Sequence, residues 1–196
     1  MTYTPTTATP RPPKRGLSTG AIVGIVAGAV TLFLLAAGIL VAVTVLDTDT
    51  VRLKATGAGM EPTIRAGQTF SATKVDAGDY QPNRSDVVVF STPKAWVAAG
   101  GDRSLVKRVI GLPGERVSCC DAKGQWLIDD KPLAEPYVQK PGGHTPTDVI
   151  VVPAGRLWVM GDNRGASNDS RSMYAITRDI ELATIPLSAV TAVVKF

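Results

Sequence analysis

The feature that most constrains this chain is an uninterrupted apolar run at residues 21–46, whose 26 residues include no charged side chain. At about 1.5 Å per residue, a helix of this length reaches roughly 39 Å, which is enough to cross a hydrocarbon core about 30 Å thick. A cleaved signal peptide has a shorter apolar region of about 7–15 residues, followed by a small-residue cleavage site. The sequence therefore predicts a transmembrane anchor helix over residues 20–46.

The charges around this run predict its orientation. Residues 1–46 carry three basic side chains and no acidic one, whereas Asp47 and Asp49 follow the run. Because basic flanks stay in the cytoplasm, we expect a single-pass topology with a cytoplasmic amino terminus and an extracytoplasmic domain at 47–196. Residues 1–19 are rich in Thr and Pro and poor in apolar side chains, so we expect a disordered cytoplasmic tail.

Charge and cysteine content argue against several functions. Beyond residue 46 the basic and acidic residues nearly balance, so the concentrated basic surface of a nucleic-acid-binding protein is not expected. Two cysteines and one histidine argue against a disulfide-rich scaffold and against a zinc site, and we expect no metal. Since a bond between adjacent cysteines has unfavourable geometry, Cys119 and Cys120 are expected to be two thiols or to pair with another chain.

The region after the apolar run has the pattern of a β protein. No segment there has a sustained apolar period of 3.6 residues, and short apolar runs recur between turn residues instead. Strands and helices do not alternate, so we expect a mostly β fold with an antiparallel, partly closed sheet. The predicted strands are residues 51–55, 68–75, 86–90, 105–111, 126–130, 149–152, 156–160 and 189–196.

Four short motifs follow one another in this region, and each alone is ordinary turn or strand sequence. They are GMEPTI at 59–64, DVVVF at 86–90, KRVIGLPGE at 107–115, and GDNR at 161–164 followed by SNDSR at 167–171. In this order, and behind one amino-terminal anchor, they resemble the type I signal peptidases of bacteria. The resemblance covers roughly residues 51–171 and continues more weakly to the last strand.

The resemblance implies a membrane-bound serine endopeptidase that uses a Ser/Lys dyad and needs no metal or organic cofactor. Such an enzyme removes signal peptides from exported precursor proteins, after small residues at the first and third positions before the cut. It also implies a signal-peptidase-like β fold at the bacterial cell membrane, with the site facing the membrane surface. Signal peptides and membrane lipid are therefore the expected partners.

Lys107 is the predicted general base. On a strand over 105–110 it shares a face with Leu105 and Val109, and an apolar environment lowers the pKa of an amine, as a lysine base requires at neutral pH. Strand position alone does not distinguish a catalytic lysine from one that extends its amine to solvent. The resemblance assigns Lys107 to catalysis.

The resemblance also implies roles for the remaining site residues. Ser167 would hydrogen-bond to the lysine amine and orient it, and Asp169 would pair with Arg171 to hold the same loop. Without the resemblance, that charged pair would be interpreted as a surface ion pair contributing about 0–1 kcal/mol. The expected substrate-binding residues are Met60, Pro62 and Val106.

The chain departs from the family pattern at the nucleophile. The reactive serine of the family immediately precedes the Met-x-Pro-Thr segment, and that position is Gly59; a second serine, which helps to bind the oxyanion, corresponds to Gly57. Losing one oxyanion donor typically costs about 10²–10³ in rate, and without a nucleophile only the rest of the site contributes. Thr56 and Thr63 would have to move several ångströms, whereas catalysis tolerates about 0.5 Å of misplacement.

Two functions from different classes follow. The first is a working signal peptidase in which water or a neighbouring threonine replaces the serine and Lys107 acts as base. The second is a catalytically silent homologue that binds signal peptides or modulates an active signal peptidase. A third, a Ser/Lys protease of the repressor self-cleavage class, is disfavoured by the anchor and by the loop at 161–171. Glycine at the nucleophile position favours impaired or absent peptidase activity.

Overall fold

The computed structural model describes residues 30–34, 49–98, 104–139, 142, 146 and 148–196. The chain divides into two units, Met1–Asp47 and Thr48–Phe196. In the first unit, residues 30–34 are helical.

Most of the predicted anchor and all of the predicted tail lie outside the described residues. Within the part of the chain that is described, none of the helices has both the length and the apolar character needed to span a bilayer. The anchor over residues 20–46 therefore stays a prediction.

The described part of the second unit contains mostly strands, joined by short helices. The strands are β1 (Thr50–Lys54), β2 (Thr69–Lys74), β3 (Val87–Ser91), β4 (Ser104–Gly111), β5 (Arg116–Cys119), β6 (Trp126–Ile128), β7 (Lys131–Pro132), β8 (Ile150–Val151), β9 (Arg156–Met160), β10 (Ile185–Pro186) and β11 (Val190–Val194). The helices are α1 (Lys94–Ala98), α2 (Ser170–Thr177), α3 (Ile180–Ala183) and a 3₁₀ turn at Leu187–Ala189.

The strands form two sheets. The larger has the order β1-β2-β11-β3-β4-β9-β10, and the smaller has the order β7-β6-β5-β8. Every pairing is antiparallel, which confirms the predicted mostly antiparallel β architecture. The carboxy-terminal strand β11 pairs with both β2 and β3, so the end of the chain is part of the middle of the larger sheet.

Strand β3 runs between two hydrophobic clusters. Val88 and Phe90 pack in the larger cluster. Val87 and Val89 pack in the smaller cluster, which also contains Met60. Because successive side chains of a strand point to opposite faces, this apolar strand is buried on both sides. It provides a rigid neighbour for β4, which carries the predicted base.

The adjacent cysteines differ from both sequence-based alternatives. Cys119 and Cys120, at the end of β5, are bonded to each other. The structure therefore contains neither two separate thiols nor a cysteine that pairs with another chain.

A close approach at the end of β4 requires a glycine. A Cβ atom on Gly111 would lie 2.6 Å from Val117 Cγ2, 2.9 Å from Val152 Cγ2 and 3.1 Å from Trp158 Cβ. These neighbours are buried, so little room exists for them to move apart. Gly111 thus allows β4 to pack closely against its neighbours.

We expect Gly111→Ala to lower the free energy of unfolding by about 1–3 kcal/mol, because the added methyl group overpacks a buried contact. Gly165→Ala is the matched control, since a Cβ atom there meets no atom within 4 Å. Urea unfolding of the full chain in detergent measures both changes. Equal midpoints for the two variants would contradict the close packing at residue 111.

Candidate active site

Lys107 lies in the middle of β4 and is 5% exposed. Its partner across the β3–β4 ladder is Val88, a buried residue of the larger cluster. Leu105 and Val109, which share its strand face, belong to or pack against the same cluster. The structure therefore places the Lys107 side chain in the apolar surroundings that its sequence position predicts.

The amine of Lys107 is adjacent to Gly59. A Cβ atom on Gly59 would lie 3.2 Å from Lys107 Nζ, 3.6 Å from the carbonyl oxygen of Ala166 and 3.7 Å from Ser167 Oγ. Three residues from separate sequence motifs therefore meet at one point. Because residue 59 is glycine, it contributes no hydroxyl group to that point.

Ser167 Oγ is buried and forms no hydrogen bond with any described residue. The expected hydrogen bond between Ser167 and the lysine amine is thus not formed in this structure. Both groups instead lie beside the position that a side chain of residue 59 would occupy. Buried polar groups are almost always paired, so this hydroxyl requires an explanation.

The loop that carries Gly59 is held by the loop that follows β9. The backbone N–H of Asn163 donates to the carbonyl oxygen of Gly59 at 3.1 Å, and Asn163 Nδ2 donates to that of Ala58 at 3.2 Å. A Cβ atom on Gly161 would lie 2.6 Å from Ser167 Cβ and would also overlap the carbonyl oxygen of Gly59. Glycine at 161 is therefore needed for the two loops to meet.

Asp169 and Arg171 form a buried ion pair behind this contact. Arg171 donates from Nε to Oδ1 of Asp169 at 3.0 Å and from Nη2 to Oδ2 at 2.7 Å. The Asp169 carboxylate also accepts from the backbone N–H of Gly161, and it caps the amino terminus of α2. The pair expected from the resemblance is present, and its burial rules out the alternative of a surface pair.

A second buried ion pair, between Arg108 and Asp162, lies next to the loop that carries Gly59. The sequence predicted no role for this pair. Arg108 donates from Nε to Oδ1 of Asp162 at 2.8 Å and from Nη2 to Oδ2 at 2.6 Å. Thr63 Oγ1 donates to the same carboxylate. The only sign of this pair in the sequence is that Arg108 directly follows Lys107 on the strand, so its side chain must point to the opposite face of the sheet. The hydroxyl of Thr63 is thus directed to Asp162.

Tyr137 connects this pair to a third one. The Arg108 guanidinium lies 3.9 Å from the centre of the Tyr137 ring, and the Tyr137 hydroxyl donates to Glu135 at 3.1 Å. Glu135 also forms an ion pair with Arg164. Burial, together with the charge of Glu135, raises the pKa of the Tyr137 hydroxyl above its ordinary value, so the group stays a donor. This series of side-chain contacts, which runs from Thr63 to Arg164, holds the loop after β9 in place.

The Lys107 side chain lines a cavity of about 300 Å³. The cavity walls are mostly apolar, and both glycines at the altered positions contribute to them. The lining residues are Leu53, Lys54, Ala55, Thr56, Gly57, Gly59, Met60, Phe70, Val89, Ser104, Leu105, Val106 and Lys107. This combination suits an apolar ligand that brings one polar group to the lysine.

One predicted substrate-binding residue lies apart from this cavity. Met60 and Val106 line it, whereas Pro62 lines a separate, more polar cavity of about 360 Å³. The backbone N–H of Ile64 donates to the carbonyl oxygen of Met60, so the chain turns between residues 60 and 64. The three expected substrate-binding residues are thus divided between two cavities, and their role in binding stays a prediction.

We expect Asp169→Ala to lower the free energy of unfolding by about 3–5 kcal/mol, because it leaves the buried Arg171 guanidinium without its counter-charge. Asp148→Ala is the matched control, since the Arg178–Asp148 pair has exposed side chains and contributes about 0–1 kcal/mol. Thermal unfolding of the full chain in detergent compares the two. A loss no larger for Asp169→Ala than for the control would show that the buried pair does not support the fold.

Comparison with known proteins identifies the family to which the chain belongs. The family model described as signal peptidase, peptidase S26, matches residues 26–196. The probable signal peptidase I-1 of Synechocystis sp. is 36% identical over 113 residues, which is 57% of this chain and 56% of the relative. Signal peptidase I U of Bacillus subtilis is 35% identical over 124 residues, or 59% of this chain and 62% of the relative.

The chain thus spans little more than half the length of these curated relatives. A crystal structure of a signal peptidase I from Enterococcus faecalis V583 matches with a TM-score of 0.42 and 26% identity, and the match covers 59% of this chain and 98% of that one. The family model covers most of the chain, including the strands and loops that form the site. The chain belongs to the signal peptidase, peptidase S26, family.

Proposed function

We propose that this chain binds the signal-peptide segment of exported precursor proteins without cleaving it. The observation that carries the proposal is the glycine at the point where Lys107 Nζ and Ser167 Oγ meet. Covalent peptide hydrolysis requires a nucleophile within hydrogen-bond reach of its base. In this chain Lys107 occupies the position of the base, and residue 59 supplies no side-chain atom that the lysine could activate.

The cavity supports binding of an extended apolar peptide. Its volume of about 300 Å³ and its apolar walls suit small or medium-sized apolar side chains. Leu53 and Lys54 belong to β1, which is the last strand of the larger sheet on that side. An added peptide strand pairs with an exposed sheet edge through main-chain hydrogen bonds, and its alternate side chains enter pockets. The edge strand β1 would supply the main-chain hydrogen bonds, and the cavity beside it would hold the side chains of the peptide.

Peptide hydrolysis by water is the second candidate function. Lys107 and Gly59 both line the cavity, so a water in that cavity would take the place of the serine hydroxyl. Lys107 would then act as base on that water. The Thr63 alternative has no support, because its hydroxyl donates to Asp162.

The proposal places the binding domain at the outer face of a bacterial cell membrane, held there by the anchor at residues 20–46. The long charge-free run and the basic residues before it support this placement. A membrane-held cavity would meet signal peptides where precursors emerge, and it would also allow association with an active signal peptidase.

The anchor predicts that the full chain stays with membranes after alkaline extraction. Protease added outside spheroplasts should digest the domain at 47–196 and leave a short amino-terminal fragment, because only the residues before the span are cytoplasmic. Immunoblotting with a tag at each end measures both outcomes. A chain released by alkali, or one whose amino terminus is digested first, would contradict the topology.

Gly59→Ser tests the absence of the nucleophile. A serine Cβ at residue 59 needs only a small movement of the flexible end of Lys107, so the hydroxyl would lie beside the amine. We expect the wild type to bind a peptide spanning a cleavage site without cleaving it, and Gly59→Ser to raise cleavage at least about 10³-fold. Adding Gly57→Ser should restore the oxyanion donor and contribute about 10²–10³ more.

The matched controls are Gly59→Ala, which adds the same Cβ without a hydroxyl, and Gly59→Ser with Lys107→Met, which removes the base. Neither should cleave the peptide. Mass spectrometry of the products measures cleavage, and fluorescence anisotropy measures binding. Cleavage by the wild type that is lost in Lys107→Met would support hydrolysis by water, and a wild type that binds no peptide would contradict the proposed function.

A further inference from the structure

Two basic residues lie on the outer face of the edge strand β1. The residues of β1 alternate between exposed and half-buried, and Arg52 and Lys54 are among the exposed ones. The residues between and before them, Leu53 and Val51, pack against the smaller hydrophobic cluster. Because successive side chains of a strand point to opposite faces, Arg52 and Lys54 point away from that cluster.

The register of the sheet places a third basic residue on the same face. Arg52 pairs with Ser71 of β2. One residue beyond the last pair of the β2–β11 ladder, the backbone N–H of Lys195 donates to the carbonyl oxygen of Ser71 at 3.2 Å. Residues directly opposite each other in antiparallel strands point to the same face. Arg52, Ser71 and Lys195 therefore form a row across three strands, at a spacing of roughly 5 Å per strand.

The basic face, defined as Arg52, Lys54 and Lys195 around Ser71, has no counter-charge of its own. Strands β1, β2 and β11 contain no acidic residue. None of the three cations forms an ion pair with a described residue, and all three are exposed. Like charges on neighbouring strands repel one another, so this face favours an anionic partner.

We infer that the basic face binds the anionic headgroups of the bilayer that holds the chain. The inference rests on the membrane placement of the domain, which is part of the proposed function, and it does not depend on peptide binding. The predicted anchor ends at residue 46 and β1 begins at Thr50. The four steps between these residues span at most about 14 Å of extended chain. The lipid phosphates are therefore anions within reach of a face that lacks a counter-charge.

The chemistry of the row suits a lipid phosphate. A phosphate accepts two parallel hydrogen bonds from a guanidinium, and such charge-assisted bonds are about twice as strong as neutral ones. Ser71, between the two cations, adds a hydroxyl donor. A zwitterionic headgroup carries its own cation, which the basic face repels, whereas phosphatidylglycerol carries none. The face should therefore distinguish phosphatidylglycerol from phosphatidylcholine.

Lys54 connects the basic face to the proposed peptide site. It belongs to the face, and it also contributes to the lining of the apolar cavity. Contact with anionic headgroups would hold the edge strand β1, and the cavity that it borders, close to the surface of the bilayer. An apolar peptide that leaves the bilayer would then reach the cavity over a short path. The lipid composition would in this way control access to the cavity.

Quenching of a fluorophore by lipid headgroups in nanodiscs tests the inference. Thr69 is exposed and pairs with Lys54, so Thr69→Cys places a label on this face without removing a charge. The two native cysteines are bonded to each other and are not labelled. The full chain is placed in discs of phosphatidylcholine, either alone or with about one third phosphatidylglycerol, and both discs carry the same nitroxide-headgroup lipid.

We expect headgroup quenching at residue 69 to be at least about twofold stronger in the discs that contain phosphatidylglycerol, because each basic side chain is attracted to an anionic surface. About 0.5 M salt should remove the difference by screening the charges. A label introduced by Ala134→Cys, at an exposed position outside the basic face, should be quenched equally in both discs.

Two charge variants separate the basic face from the net charge of the chain. The first replaces all three cations of the basic face by glutamine, and it should abolish the effect of phosphatidylglycerol. The matched control removes the same charge from three exposed lysines elsewhere, by Lys94→Gln, Lys123→Gln and Lys131→Gln. The control should retain the effect. If the control abolishes it as well, net charge alone is responsible and the inference is overturned.

The discs also separate this inference from the proposed placement. A chain that co-purifies with neither kind of disc would contradict the anchor, and it would overturn the placement and the inference together. Co-purification with equal quenching in both kinds of disc would overturn the inference and leave the placement intact. The same holds if the effect of phosphatidylglycerol persists in the variant without the three cations.

Discussion

The structure of the site depends on the contact between two loops, one at residues 57–64 and the other at 161–171. Gly161 allows them to touch, and Asn163 holds the backbone of Ala58 and Gly59. Two buried ion pairs, Arg108–Asp162 and Asp169–Arg171, lock the second loop in place. Lys107 therefore meets residue 59 at a defined position.

The ion pairs also hold the scaffold around residue 59 independently of any catalytic step. A buried pair adds little net stability compared with a well-packed apolar pair, but removal of one partner leaves an uncompensated charge and is strongly destabilising. Folding alone thus preserves Asp162 and Asp169, whether or not the chain hydrolyses peptides. By contrast, residue 59 contributes no side chain to the fold, so glycine at this position is compatible with an intact scaffold. The proposed binding without cleavage is therefore consistent with the fold.

Sequence patterns predicted the parts of the molecule that depend on local order. Alternation along residues 105–110 placed Lys107 on an apolar face. The Asp169–Arg171 pair was implied by the family resemblance, whereas the two residues alone indicated only a surface ion pair, and the pair is buried. Other features depend on contacts between distant residues and could not be predicted. The Arg108–Asp162 pair joins residues 54 positions apart. The loop before Ser170 continues into α2, whose capping box at Asp169 was interpreted only as polar loop sequence. Ser167 Oγ forms no hydrogen bond with a described residue, and it lies beside the position that a side chain of residue 59 would occupy.

The most direct test of the account is the reactivity of a cysteine introduced by Gly59→Cys, compared with the same cysteine in the presence of Lys107→Met. The chain has two cysteines, and they are bonded to each other, so the new thiol is alkylated selectively. An adjacent amine raises the thiolate fraction of a cysteine at neutral pH. If the Lys107 amine faces residue 59, iodoacetamide will react faster at pH 7 when Lys107 is present. Equal rates in the two backgrounds would show that the amine lies elsewhere, and they would contradict the arrangement of the site.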